Sequence, residues 1–249
     1  MREAGRARGG DGGTPEGPPG KPRERLVIAI DGPVGAGKST MARRLARALG
    51  IVHIDSGAMY RAMGWKAMQA GVELSDHAAL ASLAERTEIR VIPGDPSFCL
   101  LVDGEDVTGR LRTPAVDRAA SLVSTCPAVR ERLVALQRAM AREGGVVMDG
   151  RDIGTVVFPH ADLKFFLEAD LEVRAARRWQ DLQRAGAGLG VAEVREEVAR
   201  RDARDSGREM SPLRAAEDAL RIDTTGVAPD EVLARMLAAV ERCAENSKR

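Results

Sequence analysis

The sequence of 249 residues contains one asparagine, Asn246, near its C-terminal end. A guanine-specific switch protein needs asparagine in its base-reading motif N-K-x-D. A protein kinase needs it in its catalytic loop, H-R-D-x-x-x-x-N. Neither motif is present in this chain, so both of these classes are excluded.

Other scarcities narrow the range of partners and compartments. Only 3% of the residues are aromatic and the formal net charge is +1, which disfavours recognition of nucleic acid by base stacking or by a polyanion-binding surface. No apolar run is long enough for a membrane span. Cys99, Cys126 and Cys243 are scattered and odd in number, as expected for reduced thiols, and the three histidines are too dispersed to suggest a zinc site. We therefore expect a cytoplasmic protein that binds neither nucleic acid nor a membrane. We also expect a monomer, although none of these features determines the oligomeric state.

Lysine is also scarce. Of the 38 basic residues, only those at positions 21, 38, 66, 164 and 248 are lysine, and the others are arginine. An isolated arginine cluster is therefore weak evidence for a site in this chain, whereas Lys38 stands out against its background.

Lys38 lies in the most informative stretch of the chain. Residues Gly32–Ser39 read G-P-V-G-A-G-K-S and match G-x-x-x-x-G-K-[ST], in which backbone N–H groups cradle nucleotide phosphates. An apolar run at 26–30 predicts a buried strand before this loop, and apolar residues at helical spacing over 39–49 predict a helix after it. This order directs the positive end of the helix dipole at phosphate. We predict that the protein binds a nucleoside triphosphate.

The remaining sequence alternates between strand and helix patterns, which is typical of an α/β fold. Further strands are predicted at 51–54, 146–148, 163–167 and 219–222, and a small antiparallel sheet at 88–92 and 98–102. Further helices are predicted at 56–70, 75–86, 114–124, 127–142, 171–183, 191–204 and 229–244, with Ser56 as the cap of the first. Residues 1–24 combine glycine, proline and charge without periodicity, and we predict a disordered extension there. A single domain should follow at 25–249, interrupted by the β-containing segment.

The segment D-S-G-A-M-Y-R at 55–61 is the first of three that could bind a second, phosphorylated ligand. A short strand runs into a glycine-containing turn, so Asp55 and Ser56 should lie at the carboxyl edge of the sheet, where ligands bind in α/β folds. Arg61 could bind a phosphate dianion in a bidentate manner. The alternative is a capped helix with a solvated arginine.

The second segment is V-V-M-D-G-R-D at 146–152. An apolar strand that ends in Asp149 resembles the strand whose aspartate organises Mg²⁺ in P-loop proteins. Arg151 and Asp152 should emerge at the same edge of the sheet. The alternative is a surface turn with a local ion pair.

The third segment is R-D-A-R-D-S-G-R at 201–208. On a continuing helix, Arg201, Arg204, Asp205 and Arg208 would share one face. Guanidinium groups on one face repel each other until an anion binds, and phosphoryl transfer needs a movable cationic clamp that excludes water. The alternative is a solvated charged helix, which the arginine excess makes plausible.

Four motifs occur in order along the chain: G-P-x-G-A-G-K-S-T, D-S-G-A-M-Y-R, D-G-R-D-I-G-T-V-V-F-P and R-R-D-x-R-D. Together they make residues 25–245 resemble the bacterial cytidylate kinase family. The resemblance implies a three-layer α/β/α P-loop core with a parallel sheet, an NMP-binding insert over about 56–125 and a short lid over about 184–210. It also implies transfer of the γ-phosphate of Mg·ATP to CMP or dCMP, with ATP and these nucleotides as the binding partners and Mg²⁺ as the cofactor.

The resemblance also implies roles for individual residues. ATP would be bound by Gly32, Pro33, Val34, Gly35, Ala36, Gly37, Lys38, Ser39 and Thr40. CMP would be bound by Asp55, Ser56, Tyr60, Arg61, Ser121, Arg130, Arg151, Asp152, Arg201, Asp205 and Arg208. The cations that act on the transferring group would be Lys38, Arg151, Arg201, Arg204 and Arg208. The family often has glycine in place of Ser39, so a contact of Ser39 with Mg²⁺ rests on the general P-loop pattern.

The chemistry of the base supports cytosine independently. Cytosine offers an amine donor at N4, and carboxylates such as Asp152 accept from that amine. Uracil has a carbonyl there instead, which would face the carboxylate with a lone pair. Two alternatives stay open: another small-molecule P-loop kinase (for UMP, AMP or shikimate), and a regulatory or nucleic-acid-associated protein with a degenerate nucleotide site.

Overall fold

A five-stranded parallel sheet lies at the centre of the computed structural model, which describes residues 25–92, 98–184, 186 and 188–246. The strands, in chain order, are β1 (Val27–Asp31), β2 (Val52–Asp55), β3 (Ile89–Ile92), β4 (Cys99–Val102), β5 (Glu105–Asp106), β6 (Val146–Gly150), β7 (Leu163–Glu168) and β8 (Leu220–Asp223). The central sheet has the order β2-β6-β1-β7-β8, and β3, β4 and β5 form a separate antiparallel sheet. Both predicted sheets are thereby confirmed. The extension predicted at residues 1–24 lies outside the described residues.

Helices cover both faces of the central sheet. In chain order they are α1 (Lys38–Leu49), α2 (Ser56–Gln69), α3 (His77–Arg86), α4 (Pro114–Val123), α5 (Pro127–Met140), α6 (Leu171–Arg184), α7 (Val191–Ser206) and α8 (Pro229–Asn246). A 3₁₀ turn at Thr108–Arg110 and a π-helical turn at Ile153–Val157 complete the regular elements of the described ranges. None of the helices in these ranges combines the length and apolar composition needed to cross a membrane.

The three layers follow from side-chain alternation along the central strands. Ile28 and Ile30 of β1 pack with α1 and α8 on one face, whereas Ala29 between them faces α5 on the other. Val147 and Met148 of β6 divide between the same two faces. Because both faces are covered, these strands read as continuous apolar runs. The predicted α/β/α architecture is confirmed.

The segment between β2 and β6 has an apolar core of its own. Helices α2, α3 and α4 pack there with β3, β4 and the first half of α5, around fully buried side chains such as Met59, Leu80 and Leu100. Ser56 and Tyr60 lie at the start of α2, and Ser121 lies on α4, so this core holds side chains that the sequence predicted to bind an acceptor.

Two local predictions were wrong, the first because of a tertiary contact. Asp55, rather than Ser56, caps α2, since its Oδ1 accepts from the backbone N–H of Ala58 at 3.1 Å. The Ser56 hydroxyl is instead engaged with the carbonyl of Asp149, at 2.7 Å. Helix α7 ends at Ser206, so Arg208 lies beyond the helix rather than on its continuing face.

The close approach of α2 and α4 gives the first testable prediction. A Cβ added to Gly64 would lie 2.8 Å from the backbone nitrogen of Ala120 and 3.0 Å from the carbonyl carbon of Ala119. Because the close contacts are with backbone atoms, which cannot move aside by changing a rotamer, we expect a clash of about 2–3 kcal/mol, in the upper part of the range for overpacking, against roughly 1 kcal/mol gained in helix propensity. We expect Gly64→Ala to lower the free energy of unfolding in urea by about 1–2 kcal/mol.

Gly109→Ala is the matched control, because an added Cβ there meets no atom within 4 Å among the described residues. Because alanine also restricts the unfolded chain, the free energy of unfolding of this variant should equal that of the wild type or exceed it by up to about 1 kcal/mol. Equal stability of the Gly64 and Gly109 variants would contradict the tight backbone contact.

Candidate active site

The phosphate loop joins β1 to α1 with a backbone that requires glycine. Gly32 has φ 147°, and a Cβ there would lie 2.0 Å from the carbonyl oxygen of Leu167. Gly37 has φ 90° and stands at the N-cap of α1. In the part of the chain that the structure describes, no side chain caps this end and no acidic residue lies in its first turn. The first N–H groups of α1 are therefore available to an anion, with the positive end of the helix dipole behind them.

Lys38 is folded back into this loop. Its Nζ donates to the carbonyl oxygen of Pro33 at 2.6 Å, and 6% of the residue is exposed. Burial, with the guanidinium of Arg151 as the next cause, holds the pKa of Lys38 well below its ordinary value. An added anion would oppose both effects, so the site is electrostatically prepared for phosphate.

Three side chains from separate elements form a hydrogen-bond chain beside the loop. The Ser39 hydroxyl donates to Asp149 Oδ2 at 2.6 Å. His53 Nε2 lies 2.7 Å from Asp149 Oδ1. Hydroxyl and carboxylate oxygens are the donors that Mg²⁺ prefers, and Mg²⁺ is held by one or two carboxylates together with substrate phosphates. Ser39 and Asp149 fit such an ion. Within the described ranges, no group of three or more His, Cys, Asp or Glu side chains forms a separate metal cage.

A second pocket opens beyond the carboxyl ends of β2 and β6. All of the predicted acceptor-binding residues except Asp55 and Arg61 line it, namely Ser56, Tyr60, Ser121, Arg130, Arg151, Asp152, Arg201, Asp205 and Arg208. Asp55 and Arg61 lie beside it around Gly57, and Arg61 Nη2 donates to Asp55 Oδ2 at 2.6 Å. The structure therefore brings the three predicted segments together.

One wall of this pocket carries a fixed carboxylate. Arg130 Nη2 donates to Asp152 Oδ2 at 2.5 Å, and the Arg130 guanidinium lies 5.4 Å from the ring centroid of Tyr60. Arg130 and Asp152 are both almost fully buried. Burial raises the pKa of Tyr60, which keeps its phenol protonated. The Tyr60 hydroxyl has no hydrogen-bond partner among the described residues, so this pocket-lining residue carries an unpaired donor.

The pocket is also lined by a cluster of guanidinium groups around Asp205. Asp205 Oδ2 lies 2.9 Å from Arg151 Nε and 3.9 Å from Arg201 Nε, and its Oδ1 lies 3.6 Å from Arg208 Nη2. Burial alone would raise the pKa of Asp205, but these three cations lower it. Burial and the neighbouring Arg151 lower the pKa of Arg201 to about 10. The sequence predicted mutual repulsion of the arginines, and Asp205 relieves part of it.

The cluster still has unused donors. Arg201 Nε and Arg208 Nη2 are buried without a hydrogen-bond partner in the described part of the chain, as is Nε of Arg61, which lies beside the pocket. Buried donors that stay unpaired cost free energy, and anionic ligand oxygens would satisfy them. Arg204 is placed differently, since its guanidinium donates to the Ser121 hydroxyl.

Sequence analysis missed Asp31 and Arg174. Asp31, at the end of β1, accepts from the backbone N–H groups of Ile153 at 2.8 Å and Gly154 at 2.7 Å. It thereby fixes the π-helical turn that follows Arg151 and Asp152. An acid at the end of an apolar strand was a visible signal, but its partners lie far along the chain.

Arg174 of α6 links the phosphate loop to α7. Its Nη1 donates to the Val34 carbonyl at 3.2 Å and to Asp202 Oδ2 at 2.5 Å. No sequence signal distinguished this arginine from the many others.

These features define a P-loop protein of the α/β class with a second, arginine-lined pocket beside its phosphate loop. The cytidylate kinase family model matches residues 28–242. Cytidylate kinases of Desulfitobacterium hafniense and Geobacter sulfurreducens are each 50% identical to this chain. The alignment with the Desulfitobacterium hafniense protein covers 87% of this chain and 93% of that protein. The alignment with the Geobacter sulfurreducens protein covers 86% of this chain and 92% of that protein. The chain belongs to the cytidylate kinase family.

A solved structure shares the fold at much lower sequence similarity. An uncharacterized protein from Eubacterium ventriosum is 13% identical, with a TM-score of 0.50 over 87% of this chain and 99% of that one. This likeness concerns the fold alone.

The buried carboxyl of Asp31 generates a prediction about pH. Burial raises its pKa from the ordinary 3.8 to about 7, although the two N–H donors oppose this. A raised pKa in the folded state means that the carboxyl stabilises the fold fully below about pH 4, and that this contribution is lost as the pH rises through about 7. The difference in unfolding free energy between wild type and Asp31→Asn should therefore fall across this window.

The measurement is urea denaturation of both proteins at intervals between pH 4 and pH 8. The lost hydrogen bonds of Asp31→Asn give a constant offset, so only the slope with pH reports the titration. Parallel curves across the window would mean that Asp31 does not titrate there.

Proposed function

We propose that this protein transfers the terminal phosphoryl group of ATP to CMP and dCMP, giving CDP and dCDP. Membership of the cytidylate kinase family supports the reaction. The geometry that carries the proposal is the end of β6, where Asp149 contacts the phosphate loop through Ser39 and Asp152 faces the second pocket. The four consecutive residues from Asp149 to Asp152 therefore connect the ATP phosphate site to the acceptor pocket.

The phosphate loop, Gly32–Thr40, holds the ATP phosphates through its backbone N–H groups and the open end of α1. Lys38 leaves the Pro33 carbonyl and bridges the donor and acceptor phosphates. Ser39 and Asp149 would hold Mg²⁺ together with the nucleotide, and the ion would supply positive charge where negative charge develops on the phosphate oxygens.

The second pocket reads the cytosine base. Asp152 accepts from the N4 amine of cytosine, and Arg130 keeps that carboxylate in one orientation. Ser56 and Arg208 complete the polar contacts with the base, and Tyr60 packs beside it. Because Asp152 is buried, a uracil carbonyl in the same place leaves unpaired groups that cost about 1–3 kcal/mol.

The sugar and phosphate of the acceptor contact the opposite side. Arg61 and Arg151 bind the acceptor phosphate, and the buried Nε of Arg61, which has no hydrogen-bond partner among the described residues, is available to a phosphate oxygen. Ser121, Arg201 and Asp205 bind the pentose. Arg204 moves from Ser121 towards the triphosphate when the lid closes.

For catalysis, the enzyme has to align the two nucleotides and place positive charge around the transferring phosphoryl group. An acceptor phosphate oxygen is already anionic, so a strong general base is not required, and the protein supplies in-line positioning and cationic stabilisation. The insert (about 56–125) and the lid (about 184–210) close over the two nucleotides. This closure excludes water and limits hydrolysis of ATP.

An acceptor panel tests the proposed reaction directly. ADP release from Mg·ATP is measured in a coupled assay with CMP, dCMP, UMP, AMP and shikimate. We expect kcat/KM for CMP and dCMP to exceed that for UMP by roughly tenfold to more than a hundredfold. Asp152→Asn should lower the ratio of kcat/KM for CMP to kcat/KM for UMP. Equal use of UMP and CMP by the wild type would remove the role of Asp152, and preference for AMP or shikimate would replace the proposed substrate.

Two alanine variants should separate the donor and acceptor sides. Lys38→Ala should lower kcat on the order of 10²–10³-fold, because the bridging charge acts in the transition state. Arg61→Ala should chiefly raise KM for CMP, by roughly tenfold or more, since a charge-assisted contact to the bound phosphate is lost.

Residues of the same types that do not line the second pocket serve as controls. Lys66 pairs with Asp103, and Arg90 pairs with Glu88, both in the segment between β2 and β6. Lys66→Ala and Arg90→Ala should keep wild-type kcat and KM. Unchanged turnover in Lys38→Ala would contradict the bridging role.

A further inference from the structure

His53 lies at the centre of a contact that none of the predicted roles includes. Its side chain is 11% exposed and its Nε2 lies 2.7 Å from Asp149 Oδ1, while Asp149 Oδ2 accepts from the Ser39 hydroxyl. The pairing register of β2 and β6 explains why His53 and Asp149 are in contact. His53 pairs with Val147, so His53 and Asp149 project from the same face of the sheet, towards α1.

The ring of His53 is also held from a second direction. It makes an edge contact with the ring of Phe98, with centroids 6.4 Å apart and planes at 66°. Packing therefore limits rotation of the imidazole and keeps Nε2 aimed at Asp149. A side chain that merely filled space beside the strand would not need a directed nitrogen.

We propose that His53 is a positioning residue for the Ser39–Asp149 pair and, through this pair, for the Mg²⁺–nucleotide complex. The inference rests on the donor half of the proposed function. A carboxylate rotates about its Cβ–Cγ bond, and Asp149 is almost fully buried. The His53 N–H satisfies Oδ1 and leaves Oδ2 directed at Ser39. Without it, Oδ1 is a buried acceptor with no equivalent donor, and rotation of the carboxylate removes the fixed partner of Ser39.

The expected consequence is specific to one ligand. Outer-shell donors that orient metal-binding carboxylates typically change metal affinity roughly tenfold to a hundredfold. The backbone N–H groups of the phosphate loop do not depend on Asp149, so metal-free nucleotide should bind as before. The second pocket is lined by other side chains, so KM for CMP should also be unaffected.

The test measures ADP binding by calorimetry, with and without Mg²⁺ and without any acceptor nucleotide. His53→Phe keeps a ring against Phe98 but removes the N–H donors, and His53→Gln keeps an N–H donor. We expect His53→Phe to weaken Mg²⁺–ADP binding by roughly tenfold or more and metal-free ADP binding by less than about twofold. His53→Gln should recover part of the loss. Circular dichroism confirms that each variant is folded, and His53→Leu replaces His53→Phe if the phenyl ring prevents folding.

A double-mutant cycle with Ser39→Ala makes the inference falsifiable in a second way. If His53 acts through the pair, His53→Phe should have little further effect on Mg²⁺–ADP binding once Ser39 is absent. Additive losses, or equal losses with and without Mg²⁺, would assign His53 a purely structural role and overturn the proposal. Because acceptor is absent throughout, a failure of the CMP kinase proposal would appear in the acceptor panel and not here.

Discussion

The parallel pairing of β1 with β6 is the constraint on which both binding regions depend. It sets Asp31 beside Gly150, so the strand that leads into the phosphate loop ends next to the strand that leads into Arg151 and Asp152. Hydrogen bonds of a sheet leave little freedom between neighbouring strands. Two ligands bound at these ends are therefore held at a spacing that neither loop has to maintain by itself.

A second feature that organises the cleft is the pairing of its arginines with acidic residues. The chain is rich in arginine, and the cleft gives several of these residues an acidic partner: Asp55 for Arg61, Asp152 for Arg130, and Asp205 for Arg151. Buried ion pairs are costly to desolvate and are weak evidence for stability. These ion pairs instead orient the arginines, because each carboxylate holds one guanidinium group in place and leaves its other nitrogens available to a ligand.

Local sequence was sufficient where a feature depends on consecutive residues. The phosphate loop, the apolar strands and the capped helices were all predicted because their signals lie within a few positions. The cap of α2 shows a limit of prediction from local sequence. Asp55 and Ser56 are both good cap residues, and the choice is made by the Asp149 carbonyl, which engages the Ser56 hydroxyl. The π-helical turn was not predicted, since Asp31 accepts its N–H groups from a position 122 residues earlier. His53 gave no signal because a lone histidine in a strand acquires its partner only through sheet register.

The contact at Gly64 bears on how the enzyme moves. Helices whose backbones touch cannot slide past one another without overlap, so α2 and α4 travel together as a rigid body. Tyr60 on one helix and Ser121 on the other therefore keep their separation whatever the position of the segment that carries them. The separation of these two pocket-lining side chains is then set before any ligand arrives, so little conformational entropy is lost in ordering this part of the pocket.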